Sequence, residues 1–245
     1  MSEAVALMPT CLVDLVRPET GEAAVRVLRR AGYTVSFPPG QTCCGQPAWN
    51  SGFPDEARRV AQQTLNALAA SEGPVVVLSG SCASTMLHVW PELFPDDSRA
   101  AAVLERVVEF GALLAPKALP ATPQADAQPT AYHCSCHQRR GLRDAESGAR
   151  LLDALPGVER REAAEEDACC GFGGTFSIKL GEISTRMADN KCVNIGVTGA
   201  DAIVGGDLGC LLNIEGRLRR SGDDQTKVYH YAEVIAGMTD RKSVV

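Results

Sequence analysis

Short apolar runs alternate with longer amphipathic stretches along the chain, and the same order of elements occurs twice. An apolar run at residues 5–8 turns at Pro9 and reads as a strand. Residues 20–30 then carry apolar positions three and four apart, the spacing of one helix face, and Gly32 stops that helix. A short strand is predicted over 33–37. Pro54 opens a longer helix over 54–70, with Val60, Leu65 and Leu68 on one side, and a β-branched strand follows at 75–78. From residue 130 the plan repeats, with a strand at 130–133, a helix over 144–155 ended by Pro156-Gly157, and a more polar strand at 158–162. A helix over 182–193 and a strand at 202–204 complete the second copy, and the segments 107–115 and 228–236 match as closing units.

Strands alternating with helices predict an α/β fold. Two tandem repeats are expected, each with a mostly parallel sheet flanked by helices and related by a pseudo-two-fold. The first repeat covers 1–120 and the second 129–245. The linker at 121–128 sits in the aperiodic, Ala- and Pro-rich stretch 116–129.

The cysteines follow the same duplication. Cys43-Cys44-Gly45 and Cys169-Cys170-Gly171 are each framed by two lone cysteines. Cys11 precedes its pair by 31 residues and Cys82 follows after 37; Cys136 precedes the other pair by 32 and Cys210 follows after 39. Ligands of parallel sheets gather at the carboxyl ends of the strands, and all eight thiols are expected in loops there. Neighbouring Cα atoms are about 3.8 Å apart, so a cysteine pair serves two atoms of one polynuclear cluster better than two separate sites. The glycine after each pair permits a sharp turn and brings backbone N–H groups close to sulfur. The competing readings are a vicinal disulfide, two buried thiols in each pair, or a zinc ion held by four thiolates. The chain contains no Cys-x-x-Cys zinc knuckle.

Composition narrows the chemistry. A formal charge of −6 without a sustained Lys/Arg cluster gives no footprint for nucleic acid. No apolar run approaches the roughly 18 residues of a membrane span, and the start of the chain does not read as a secretory signal, so a cytoplasmic location is expected. In a reducing compartment ten cysteines speak for metal or redox chemistry rather than for a disulfide framework.

The stretches Cys43-Cys-Gly-Gln-Pro-Ala48, Ser79-Gly-Ser-Cys82, Cys136-His137, Cys169-Cys-Gly-Phe-Gly-Gly-Thr-Phe176, Thr198-Gly-Ala-Asp201 and Asp207-Leu-Gly-Cys-Leu-Leu-Asn213 resemble the cysteine-rich CCG family. That family occurs duplicated in the B subunit of heterodisulfide reductase and in the iron–sulfur subunit of glycolate oxidase, and the likeness extends to its lactate utilization members. The resemblance implies iron–sulfur clusters of the [4Fe–4S] type, one or two per chain, and electron transfer in a system oxidising L-lactate to pyruvate. It implies as partners the other lactate utilization subunits, iron–sulfur protein B and protein C. Cys11, Cys43, Cys44 and Cys82 would hold one cluster, and Cys136, Cys169, Cys170 and Cys210 the other. In the heterodisulfide reductase relatives the last motif of each set is Cys-x-x-Cys. Here Ser79 and Asp207 stand at the extra positions, so disulfide reduction does not transfer with the resemblance. A disulfide-reducing subunit and a structural zinc module remain the alternatives, and no catalytic residue is assigned.

The remaining motifs carry less. Cys134 is a possible substitute ligand and Cys192 a buried small hydrophobe. His137 follows a ligand cysteine, as a donor to cluster sulfur or as a helix-start residue; His88, His133 and His230 are read as packing residues, and Trp49 as core or as a shield. Residues 171–176 lack the third glycine of a dinucleotide loop because Phe176 occupies its place. Ser79-Gly-Ser81 is no nucleophile elbow, and Glu165-Glu166-Asp167 is a solvated acidic loop.

Overall fold

The computed structural model describes residues 3–117 and 128–239, so residues 121–127 of the expected linker lie outside the described residues. In the first repeat β1 (Glu3–Met8) is followed by α1 (Cys11–Val16), α2 (Pro18–Arg30), β2 (Tyr33–Ser36), α3 (Gln46–Trp49) and α4 (Pro54–Ala69). β3 (Val75–Val77), α5 (Gly80–Leu93), α6 (Ser98–Leu104), β4 (Val107–Glu109) and α7 (Phe110–Leu114) complete it. The second repeat runs β5 (Gln128–His133), a π-helical turn (His137–Gly141), α8 (Ser147–Asp153), β6 (Val158–Arg161), α9 (Phe176–Lys179) and α10 (Gly181–Gly196). It ends with β7 (Ala202–Gly205), α11 (Leu208–Arg220), β8 (Lys227–His230) and α12 (Tyr231–Ala236). The sheets are four-stranded and parallel, in the equivalent orders β2-β1-β3-β4 and β6-β5-β7-β8. None of the helices among the described residues is long and apolar enough to cross a membrane.

Side chains alternate across a strand, and this divides the first sheet between two cores. Met8, Val75 and Val77 face α4 and α5, against Leu65, Leu68, Met86 and Trp90. Val5, Leu7, Val76 and Leu78 face the other way, into a core that continues through α2 into Ala131, Ile203 and Leu211 of the second repeat. The two repeats are therefore halves of one hydrophobic body.

Their interface is reciprocal. α2 packs on α12 and α7 on α8; α1 meets α11 and the π-turn meets α5. Each contact joins one element to the counterpart of its partner's mate, as a pseudo-two-fold requires. Two contacts pair equivalent positions directly. Ser79 and Asp207 form an isolated antiparallel bridge. Phe110 and Tyr231 stack with centroids 5.8 Å apart and planes inclined by 12°. Arg17 pairs with Glu215, and Arg30 donates to the carbonyl of Ile235, further tying the first repeat to the second.

Helices α5 and α11 are additional to the elements the pattern predicts. α5 is buried on more than one face and contains Gly80, Ser84, Thr85 and Pro91, so neither a polar stripe nor helix propensity marks it. It starts at Ser79, whose hydroxyl accepts from the backbone N–H of Cys82 at 3.4 Å. The expectation that all eight thiols lie in loops is corrected accordingly: Cys11, Cys82 and Cys210 sit in the first turns of helices.

Beside the stacked rings, the carboxylate of Glu109 accepts from Gly111 N–H at 2.8 Å, Ala112 N–H at 3.1 Å and Gln138 Nε2 at 3.4 Å, and from the Tyr231 hydroxyl. Burial outweighs these donors and pushes its pKa from 4.5 up to about 7. Folding thus favours the protonated acid. The stabilisation is complete below the unfolded pKa and is lost as pH rises through the folded one. Urea denaturation from about pH 5 to about pH 8 should show the protein losing about 2–3 kcal/mol more stability than Glu109→Gln, as the shift to about 7 requires. Parallel pH profiles would contradict this.

Candidate metal centres

In the first repeat three chain segments converge on one point. Cys11 opens α1 directly after β1, delivered by Thr10 at φ 81, ψ 156, a conformation rare outside glycine. Cys43 and Cys44 lie in the loop after β2, and Cys82 sits in the first turn of α5 beyond β3. The sulfurs of Cys11 and Cys43 are 3.7 Å apart, and those of Cys44 and Cys82 are 3.4 Å apart. Gly45, at φ +93, donates its N–H to Cys43 Sγ at 3.5 Å; a Cβ there would lie 2.9 Å from the carbonyl oxygen of Ala57. Two core side chains tether the pair from behind: Trp90 Nε1 donates to the Cys44 carbonyl at 2.9 Å and the Thr64 hydroxyl to that of Cys43 at 3.2 Å.

The second repeat builds the same site. Cys136 follows β5 at the start of the π-turn, Cys169-Cys170 lies after β6, and Cys210 is in the first turn of α11. Gly171, at φ +85, donates to Cys169 Sγ at 3.4 Å, and a Cβ there would stand 2.7 Å from Ser184 O. Asn213 replaces Trp90 as the tether, donating to the Cys170 carbonyl at 2.8 Å.

Crowding of thiols sets the charge at both sites. The hydrogen bond from Cys11, joined by one from Cys44, brings Cys43 down to about 3, while the same contacts raise Cys11 and Cys44. Cys169 falls to about 2 through Cys136 and Cys170, which rise in turn. Each site thus stabilises one thiolate at the first cysteine of the pair, the form that binds metal. Helix N-termini supply backbone N–H groups and positive dipole ends at Cys11, Cys82 and Cys210. Four thiols per site are a donor set suited to a [4Fe–4S] cluster or to zinc.

The surroundings differ between the sites. All four cysteines of the second set line a cavity of about 440 Å³ that also reaches Gln46, Asn50 and Ser81 of the first repeat. His137 spans this cleft, with Nδ1 3.6 Å from Cys136 Sγ and Nε2 3.3 Å from Gln46 Nε2. Donation from the Gln46 amide to Nε2 leaves the Nδ1 proton facing the thiol. His133 is 2% exposed, with neither ring nitrogen partnered among the described residues. One of its nitrogens lies within 4.8 Å of the sulfurs of Cys170 and Cys210, and burial lowers its pKa to about 3. The periodicity that marks residues 130–133 as a strand gives a histidine there no distinct role. The signal available in the sequence is positional, three residues before Cys136.

The other singled-out residues lie apart from the thiol clusters or serve the scaffold. Asp207 Oδ2 accepts from the Ser79 hydroxyl at 3.0 Å and from Ser81 N–H at 2.9 Å, so it caps the first repeat's helix across the axis. Cys134 is in the core with its thiol at the carbonyls of Ser135 and Asp144; Cys192 packs from α10 onto the same core. His88 bonds the Gly141 carbonyl at 2.9 Å, His230 caps α12, and Trp49 is partly buried against the first core.

The sequence profile of the cysteine-rich domain designated CCG matches residues 5–87 and again 130–215. Lactate utilization protein A of Shouchella clausii is 41% identical over 236 residues, covering 94% of this chain and 98% of that protein. Lactate utilization protein A 2 of Bacillus cereus strain Q1 is 39% identical over 237 residues, covering 95% and 97% respectively. Among solved structures, a hypothetical protein from Helicobacter pylori superposes with a TM-score of 0.71 at 13% identity, over 98% of this chain and 50% of that one. That likeness concerns the fold alone.

Gly45→Ala and Gly171→Ala each force a side chain into positive φ against a backbone carbonyl. Each should lower stability by about 1–3 kcal/mol in chemical denaturation. Wild-type stability in both variants would show that the turn after the cysteine pair is not constrained in this way.

Proposed function

The chain belongs to the cysteine-rich CCG domain family, and on that premise we propose that it is the iron–sulfur electron-transfer subunit of a system oxidising L-lactate to pyruvate. The observation that carries this reading is the duplicated four-thiol constellation, each copy centred on an adjacent cysteine pair, in a chain about two-fifths identical to proteins named for lactate utilization. Cys11, Cys43, Cys44 and Cys82 would hold one cluster and Cys136, Cys169, Cys170 and Cys210 the other. A bound cluster supplies reversible one-electron storage. Two such sites match the two electrons released when one lactate becomes pyruvate.

The protein's own groups prepare the sites. Gly45 and Gly171 aim N–H groups at the first sulfur of each pair, and His137 aims a proton at Cys136. Cys44 and Cys82 are buried in the apolar core of the first repeat, which shields that site from water. The other two lactate utilization proteins, B and C, are the proposed partners, in the cytoplasm. Ser79 and Asp207 carry no thiol and are bonded to one another, so no fifth thiolate is available, which argues against disulfide reduction here.

One observation favours a zinc module as the second reading. The sulfur separations of 3.4 and 3.7 Å at the first site approach the edge of about 3.8 Å expected for a tetrahedron with bonds of about 2.3 Å. Against it stands the second site, whose four thiols open onto a cavity of about 440 Å³ where a structural zinc site is closed.

Anaerobic purification with chemical reconstitution, followed by iron, sulfide and zinc analysis and visible absorption, separates the readings. Iron and sulfide in equal amounts with a broad band near roughly 400 nm are expected. A colourless, zinc-loaded protein that takes up no iron would contradict the proposal.

A further inference from the structure

The two sites share one architecture, so residues that differ at equivalent positions mark where their properties diverge. Met8 and His133 are such a pair. Each is the last residue of a central strand, three positions before the first cysteine of its set. Met8 pairs with Val77 and His133 with Gly205, and these partners each lie five positions before Cys82 and Cys210. A thioether carries no donor; a neutral imidazole carries one N–H in either tautomer. The His133 ring is buried without a protein partner for either nitrogen among the described residues, and it stands within 4.8 Å of the Cys170 and Cys210 sulfurs. An unpartnered buried imidazole is unfavourable, and the thiols of Cys170 and Cys210 are the metal-ligating groups that stand beside this one.

A second equivalent pair points the same way. α4 and α10 are both 16 residues long, and at the matching position Thr64 in the first is replaced by Lys191 in the second. Thr64 is fully buried and Lys191 is 2% exposed. The Lys191 ammonium donates to the carbonyls of Glu165 at 2.9 Å and Glu166 at 3.2 Å, at the loop leading to Cys169. Asp207 acts in the opposite sense at the second site, but its Oδ2 is engaged by Ser79 and Ser81 of the first repeat.

We propose that His133, as a positioning residue backed by the buried Lys191 ammonium, makes the second four-thiol site the higher-potential site of the two. An N–H directed at sulfur and a nearby cation both favour the more negative, reduced form of a thiolate-bound cluster. The inference rests on the iron–sulfur reading above. It adds that the repeats, alike in ligands, are unlike in electron affinity.

The test is an EPR-monitored redox titration of anaerobically reconstituted full-length protein. Cys43→Ser with Cys44→Ser isolates the second site, and Cys169→Ser with Cys170→Ser isolates the first. The second site is expected to be at least tenfold easier to reduce, a gap of about 59 mV for one electron. His133→Met, which copies the first repeat, should remove most of that gap, and His133→Gln, which keeps an N–H donor, should retain it. Met8→His in the first-site background should raise that potential and keeps the test decisive if His133→Met fails to fold. Equal potentials in the two backgrounds, or potentials indifferent to His133→Met and Met8→His, would overturn the inference while leaving the cluster reading standing. Failure of every form to take up iron would overturn both.

Discussion

Gathering four thiols around an adjacent pair is the constraint on which this structure turns. No single segment can supply such a set. The pair comes from one loop, the third thiol from the helical turn just beyond a central strand, and the fourth from the first turn of a buried helix. A parallel sheet satisfies that demand because successive strands deliver their carboxyl ends to the same edge. Sulfur separations of 3.7 and 3.4 Å at the first site express how closely β1 and β3 bring their thiols to the pair after β2.

Holding the segments there requires rigidity behind them, and duplication supplies it. Either sheet has one face that completes its core only against the other repeat, so the halves pack as one body. Across the axis the second repeat contributes directly to the first repeat's site. Asp207 binds the Ser81 N–H, one residue before Cys82. The Asp207 carboxylate thus braces the neighbouring repeat beside its fourth thiol.

Much of this was legible in the chain. β-branched runs and three-to-four spacing marked the central strands, α2, α4 and α10 because those elements bury one face or lie fully inside. The eight cysteines marked themselves through spacing. α5 is hidden because it is buried on several sides, and both α5 and α11 start on Gly-containing motifs that resemble loops. Trp90, Asn213 and Asp207 act through contacts more than forty positions away in sequence, which local pattern does not encode. A strand pattern reveals only burial and apolar neighbours, so it gives His133 no more than a packing role. Its role depends on which sulfurs the fold sets beside it.

The central claim is that the chain holds two separate thiolate sites, each drawing its four cysteines from its own repeat. Native mass spectrometry of the anaerobically reconstituted chain tests it most directly, comparing wild type with Cys43→Ser/Cys44→Ser and with Cys169→Ser/Cys170→Ser. The account predicts two clusters on the wild type and one on either variant. A single cluster on the wild type, lost completely in both variants, would contradict it by showing that the two cysteine sets serve one shared site.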